Sequence, residues 1–321
     1  MATSDGYSAI KPEKIVDGAL SLLVRASVLG NTVFRNAGGD FRGAKNDTIT
    51  LRLPAYAKPG KRQLRSSTTR TRTQLHERKV DITLTHGYNL DVPLTDEEIT
   101  LDIENLAREV IAPCVAGIAR EYETDIGTLM GSATYANPTI EITNDPYASA
   151  VQARKVLSDM QVPLSGLFLA CGSSVAAAFL TSDNLRKADQ AGDANALRRA
   201  QIGQIANFTV IESQALDPDV AVAYHRTAFA VNTRAPMVPD GVAWGSSQSA
   251  DGYAIRVMQH LADTDDGPTN VVYHDAWVGM KVVTDLGAID ETTGKFEPAV
   301  DPDESGASEL FVRAVKLELA S

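Results

Sequence analysis

The sequence predicts an α+β protein, and three stretches carry that reading. Residues 79–94, KVDITLTHGYNLDVPL, alternate with period two: Val80, Ile82, Leu84, His86, Tyr88, Leu90 and Val92 on one side, Asp81, Thr83, Thr85, Asn89 and Asp91 on the other. That is the pattern of a half-buried strand. A strand of this length spans roughly 40 Å, well beyond the usual five or six residues. Ile103, Leu106, Val110, Cys114, Ile118, Tyr122, Ile126 and Met130 step by three or four, one apolar stripe along a helix of roughly 42 Å. Beyond residue 146, short helical and strand-like segments follow each other closely, as in a mixed α/β module.

Taken in order, EKIVDGALSLLVRASVL (13–29) places Ile15, Val16, Ala19, Leu22, Leu23 and Ala26 near helical spacing. The Gly- and Asn-rich GNTVFRNAGGDFRGAKND then reads as a turn-filled connector. In DTITLRL, Ile49, Leu51 and Leu53 alternate with polar residues, a second half-buried strand. Residues 54–79 separate the two strands without offering a core, an excursion that fits a projecting arm better than a compact domain. In TTRTRTQLHER, Arg70, Arg72, His76 and Arg78 share one face of an extended chain, and Thr69, Thr71, Thr73 and Leu75 the other. Thr95 and Glu98 have the spacing of a capping box ahead of the long helix. Pro113 lies within the apolar stripe, where a missing amide predicts a bend. A helix near 147–160, a strand at 166–172, a Ser-capped helix at 173–181 and the strand NFTVIES come next. VAVAYHRTAFAVNT, YAIRVMQHLAD and NVVYHDAWVGMKVVTDLG lead to an acidic, turn-rich segment at 285–308 and a last strand, ELFVRAVKLEL. There is no internal repeat.

Charge is divided unevenly along the chain. Residues 1–100 hold 15 basic and 11 acidic groups, residues 101–321 hold 15 basic and 30 acidic, and the whole is −11. The segment 61–79, KRQLRSSTTRTRTQLHERK, holds seven Lys or Arg and one Glu. Such asymmetry suits nucleic-acid binding, or a chain that lays its positive part on the negative part of another copy. The segment contains no aromatic residue to stack on bases, and the remainder of the chain repels DNA. A solvated loop does not explain the Arg/Thr alternation. An arm lying on a neighbouring copy does, with weak exposed ion pairs adding up through repetition.

Signals of catalysis are absent from the sequence. The five histidines (His76, His86, His225, His260 and His274) show no metal-ligand spacing with each other or with Cys. Cys114 and Cys171 stand 57 positions apart, form no C-x-x-C pair and read as small core residues. No G-x-S-x-G, H-E-x-x-H or phosphate-loop pattern occurs. Acidic groups at Asp96–Glu98 and at Asp263, Asp265 and Asp266 sit in turn-like settings and read as solvated surface. The expectation is no enzyme and no cofactor. No apolar run reaches the roughly 18 residues of a membrane span, and the N-terminus lacks a signal-peptide layout. A soluble protein made in the cytoplasm is therefore expected.

The order of parts resembles that of the major capsid proteins of tailed double-stranded DNA phages, the HK97-like fold, and among them the coat proteins of the Salmonella phage type. VPLTDEEITLDIENLAREVIAPCVAGIA, AQIGQIANFTVIES, TAFAVNTRAPMVPDG and HDAWVGMKVV are similar to the phrasing of that family, in the same order. The resemblance implies an N-terminal arm at 1–38 and an extended loop with its base strands at 39–94. It implies a peripheral domain with the spine helix at 95–145 and 274–321, and an axial domain at 146–273. It further implies that Lys58, Lys61, Arg62, Arg65, Arg70, Arg72, Arg78 and Lys79 contact a neighbouring subunit, and that Leu106, Val110, Ile118 and Ile126 form the spine-helix core. The implied function is a self-assembling icosahedral shell of pentamers and hexamers around phage double-stranded DNA, held without sequence-specific contact. Implied partners are a portal and a separate scaffolding protein, because only about a dozen residues precede the first helix; no membrane is involved. The implied location is the virion, assembled in the cytoplasm of a bacterial host. The extra axial insertion of the Salmonella type has no matching block, and loop lysines Lys58 and Lys61 are not expected to crosslink to a neighbouring Asn. The segment 285–308 has no counterpart in the resemblance. Two other readings remain: an encapsulin-like compartment of the same fold, and a nucleic-acid-binding protein using residues 58–79.

Overall fold

A computed structural model describes residues 12–35, 48–53, 78–95, 98, 106–135, 137–143, 145–182, 203–242, 244–264, 267–290, 292–298 and 309–320. The chain opens with α1 (Pro12–Ala26), β1 (Phe34–Arg35), β2 (Thr48–Leu53), β3 (Arg78–Thr83) and β4 (His86–Leu94). After a π-helical turn at Ala107–Ile111 come α2 (Ala112–Ser132), β5 (Ile140–Ile142), α3 (Pro146–Asp159), β6 (Leu167–Cys171) and α4 (Ser173–Thr181). Next are β7 (Gln204–Ile205), β8 (Phe208–Glu212), β9 (Val220–His225), β10 (Phe229–Arg234), β11 (Trp244–Ala250) and β12 (Tyr253–Thr264). The chain closes with β13 (Gly267–Val282), β14 (Thr284–Ile289), β15 (Phe296–Pro298), β16 (Glu309–Val312) and β17 (Ala314–Leu319).

Two six-stranded sheets organise these elements. In the first, the order is β1-β10-β13-β12-β11, with β4 also paired to β13; in the second it is β5-β17-β9-β6-β8-β7. Helices α1 and α2 bury Val16, Leu20, Leu23, Val115, Ile118, Tyr122 and Ile126 in one core with Val257, Val272 and Val278 of the first sheet. Leu22, expected on the buried face of α1, is 43% exposed, and Leu20 takes that place. Helices α3 and α4 cover the second sheet around Leu157, Leu169, Phe179 and Phe208. Gly172 precedes α4 and no side chain caps that helix, so Ser173 begins it rather than capping it.

The chain crosses between sheets at short breaks inside segments that read as single strands. Residues 79–94 are two strands: β3 pairs with β2, and β4 pairs with β13. The break falls where the Thr85 amide donates to the Val278 carbonyl (3.0 Å), drawing the chain onto β13. VAVAYHRTAFAVNT splits at a 3-10 turn over Arg226–Ala228, leaving β9 in the second sheet and β10 in the first. The last segment breaks at Arg313, between β16 and β17. Strands β10, β11 and β12 thus lie in the sheet of β4 and β13, and β17 lies in the sheet of β6 and β9. Pairing partners far away in sequence decide sheet membership, and alternation alone does not encode them.

The expected bend at Pro113 takes a different form. The Ala112 amide donates to the Ala107 carbonyl, five residues back, and Pro113 sits in the first turn of α2. A widened turn removes the need for a Pro113 amide and relieves its ring from the preceding carbonyls.

His274, at the centre of β13, is fully buried. Its Nδ1 lies 3.1 Å from the Leu90 carbonyl, to which it donates, and its Nε2 has no partner. Burial holds its pKa below 6.5, against the opposing pull of Asp275 and Asp91. The unfolded chain therefore binds the proton more readily, and stability falls as pH drops below about 6.5, by up to about 1.4 kcal/mol per pH unit. Half-buried His225, also held low, adds to the same slope. His274→Gln is expected to flatten the slope of denaturant-derived stability between pH 6.5 and 5. An unchanged slope would show that His274 carries none of the acid sensitivity.

Candidate assembly surface

Strands β2 and β3 form a two-stranded ribbon. Its register places Ile49 opposite Ile82 and Leu51 opposite Val80, with Thr50 opposite Asp81 and Arg52 opposite Lys79. On β3, alternation turns Val80 and Ile82 to one side and Lys79, Asp81 and Thr83 to the other. Val80 and Ile82 are buried against Ala230, Val283 and Phe34, which fixes the ribbon to the first sheet. On the polar face the Thr50 hydroxyl donates to Asp81 (2.6 Å), and Thr48 and Thr83 hydroxyls meet at 3.0 Å. Lys79 is exposed; Arg78 belongs to β3, and its side chain lies outside the described set. Lys58, Lys61, Arg62, Arg65, Arg70 and Arg72 all lie outside the described residues.

Below the ribbon, β4 rests on α2. The Tyr88 hydroxyl donates to Asp125 of α2, and His86 Nε2 lies 3.0 Å from the same carboxylate oxygen. At the far end of β4 the Thr95 amide donates to Glu98 (2.9 Å) and the Glu98 amide to the Thr95 hydroxyl (3.3 Å), the reciprocal pair of a capping box. These bonds hold the Glu98 carboxyl below the usual range. Of the expected spine-helix core, Ile118 is 4% and Ile126 0% exposed, whereas Leu106 and Val110 are half-buried against the same core. Both cysteines are buried and free, and burial pushes the Cys171 thiol up to about 12, far from a reactive thiolate.

Glu123 is the buried polar group that the apolar stripe concealed. It is 8% exposed, and its carboxylate accepts from the Ser27 hydroxyl (2.6 Å), the Leu29 amide (2.7 Å) and the Gly30 amide (2.9 Å). The turn that follows α1 is thereby clamped to the middle of α2. A Cβ at Gly30 would lie 2.5 Å from the Tyr253 hydroxyl and 2.7 Å from the Tyr122 ring, so this close approach requires glycine.

No protein-family model matches the chain, and no curated protein matches it. Solved structures do. A structure from Mycobacterium phage Che8 has TM-score 0.59 and 18% identity, covering 91% of this chain and 90% of that one. The capsid structure of cyanophage P-SCSP1u gives TM-score 0.55 and 10% identity over 100% of this chain and 93% of that one. The mature capsid of bacteriophage PhiM1 gives 0.52 and 10%, over 86% and 82%. The chain has the HK97-like phage-capsid fold.

Within the HK97-like fold, a further polar group ties the crossings together. Arg313, at the break between β16 and β17, donates from Nη2 to Asp285 of β14 (3.1 Å) and from Nη1 to the Thr227 hydroxyl in the turn between β9 and β10 (3.0 Å). Its carbonyl accepts from the His225 amide at 3.0 Å. One side chain thus joins the points where three strands change sheet. Its position in the ELFVRAVKLEL alternation was the available signal: Arg313 and Lys316 are the basic residues of that run. Among the described residues no group of three or more His, Cys, Asp or Glu could hold a metal ion, and no helix is long and apolar enough to cross a membrane.

Proposed function

We propose that this chain is a major capsid protein of a tailed double-stranded DNA phage, a structural subunit that assembles into an icosahedral shell. The carrying observation is the likeness of fold to the cyanophage capsid chain, which covers 100% of this chain and 93% of that one. In this reading α2 is the spine helix. The first sheet with α1 and α2 is the peripheral domain, and the second sheet with α3 and α4 is the axial domain. Pentamers and hexamers build the shell, with a scaffolding protein and a portal as partners and DNA packaged without sequence-specific contact. The shell belongs to the virion and is assembled in the host cytoplasm. The test is electron microscopy of the purified chain, alone and coexpressed with the scaffolding protein of its own gene cluster. Closed shells support the proposal; monodisperse small particles under both conditions refute it.

The extended arm reading adds a prediction. Residues 54–79 of one subunit contact another subunit by charge on protein. Replacing Arg70, Arg72 and Arg78 with Gln leaves the subunit folded and lowers the yield and melting temperature of shells. Wild-type shells lose stability as salt rises, since exposed pairs are screened over about 10 Å at 0.1 M. Each pair contributes only about 0.2–1 kcal/mol, multiplied by repetition. Normal assembly of the triple variant at every salt concentration, or salt-sensitive duplex DNA binding by wild-type subunits, contradicts this arm reading.

A further inference from the structure

Strand β11 ends the first sheet at one edge and, among the described residues, pairs with β12 alone. Helix α1 lies against it, and Trp244 packs on the shared core. The turn between β11 and β12 is Asp251–Gly252, with φ 52° and 78°. Two left-handed residues make a type I′ turn, which closes on a hydrogen-bonded pair. That pair is Ala250 with Tyr253. Along an antiparallel ladder, hydrogen-bonded and non-hydrogen-bonded pairs alternate. Trp244, Ser246 and Gln248 therefore also bond to β12, while Gly245, Ser247 and Ser249 turn their amides and carbonyls to the open edge. Ser247, Ser249 and Ala250 are exposed. The strand reads WGSSQSA, without a charge or a proline, the usual guards of an open edge.

We propose that β11 pairs with β11 of a second copy across a two-fold axis, joining two first sheets edge to edge. The outward groups at 245, 247 and 249 are symmetric about Ser247, the middle of the strand's seven residues. An antiparallel copy centred there sets Ser247 opposite Ser247 and Gly245 opposite Ser249, so every outward amide meets an outward carbonyl. The same register sets Trp244 opposite Ala250, large against small, and Ser246 opposite Gln248, hydroxyl against amide. Charge selects the same occupant. The chain carries net −11, so copies repel over much of their surface, and an uncharged edge lets them approach without that repulsion. Backbone bonds hold such a contact, as in other strand additions. The pairing stands on the geometry of the sheet edge; the capsid reading gives it a place, between subunits related by a two-fold.

The test uses the full purified chain in whatever assembly it adopts. A photo-crosslinking amino acid at position 249, set opposite Gly245 of the copy, is expected to give covalent dimers whose second peptide is 244–250. Dimers linked through any other segment, links to a different protein, or no dimers at all overturn the proposal. Proline at position 247 separates pairing from folding. The Ser247 amide points away from β12, so Ser247→Pro removes no bond of the hairpin. It is expected to keep the subunit's melting temperature and to lower dimer crosslinking from position 249 roughly tenfold, through loss of bonds exchanged at the axis. Ser247→Lys, which sets two like charges at the axis, is expected to lower crosslinking in the same way. Gln248→Pro, whose amide bonds to β12, is expected to lower the melting temperature. Undiminished crosslinking in the two Ser247 variants overturns the pairing, and equal destabilisation by Ser247→Pro and Gln248→Pro overturns the assignment of the open edge. Crosslinking is read whether or not shells form. Absence of shells therefore counts against the capsid reading and leaves the pairing result to stand by itself.

Discussion

Ile118→Asp yields no soluble, folded subunit. Ile118 faces the core shared by α1, α2 and the first sheet, at 4% exposure. The substitution removes an isoleucine contribution of about 2–5 kcal/mol and places a carboxyl in an apolar core, where burial penalises its ionised form. Together these approach the whole stability of a domain, about 5–15 kcal/mol. Ile118→Val, which keeps the shape and removes one methyl, costs about 0.5–1.5 kcal/mol and should fold. The measurement is soluble yield and circular dichroism of both variants beside wild type. A folded, assembling Ile118→Asp subunit would remove α2 from the centre of the core.

The parts of this fold that local chemistry specifies were legible. Thr95 and Glu98 make the reciprocal bonds that their spacing announces, and alternation in 78–83 does place Val80 and Ile82 inside. Alternation could not say which sheet a strand joins. The continuous pattern of residues 79–94 hides a change of partner at Thr85, and the break at Arg313 lies inside an unbroken apolar rhythm. A strand keeps the same inside–outside code on either sheet, so the choice is made by partners such as Val278 and Tyr224, long distances away in sequence. The proline in the stripe correctly marked an irregularity, but stripe spacing does not distinguish a bend from a π-helical turn. Glu123 escaped because the stripe was traced through apolar residues alone. Its neighbours Ala119, Ile126, Gly127 and Met130 share its side of α2 and are buried, and a carboxylate on that side was a sign of a clamp.

That clamp makes the second large prediction. Glu123→Ala lowers subunit stability by about 3–5 kcal/mol, because two backbone amides and a buried hydroxyl lose a charged acceptor. Hydrogen bonds to charged groups contribute about 1.5–3 kcal/mol each, and orphaned buried donors cost about 1–3, so the sum holds even with partial relaxation. The loss is local in origin: α1 still offers Val16, Leu20 and Leu23 to the core, but the turn at residues 27–30 is no longer held. Hydrogen exchange of the Leu29 and Gly30 amides should accelerate far more than exchange in β6 or β9 of the second sheet. Glu123→Gln keeps one acceptor oxygen but turns an amide group toward a donor, and should fall between wild type and Ala. Glu121→Ala, at an exposed position two residues earlier on α2, should stay within about 0.5 kcal/mol of wild type. Equal effects at 121 and 123, or unchanged Leu29 and Gly30 exchange in Glu123→Ala, would mean that hydrophobic packing of α1 alone holds the N-terminal segment on the spine.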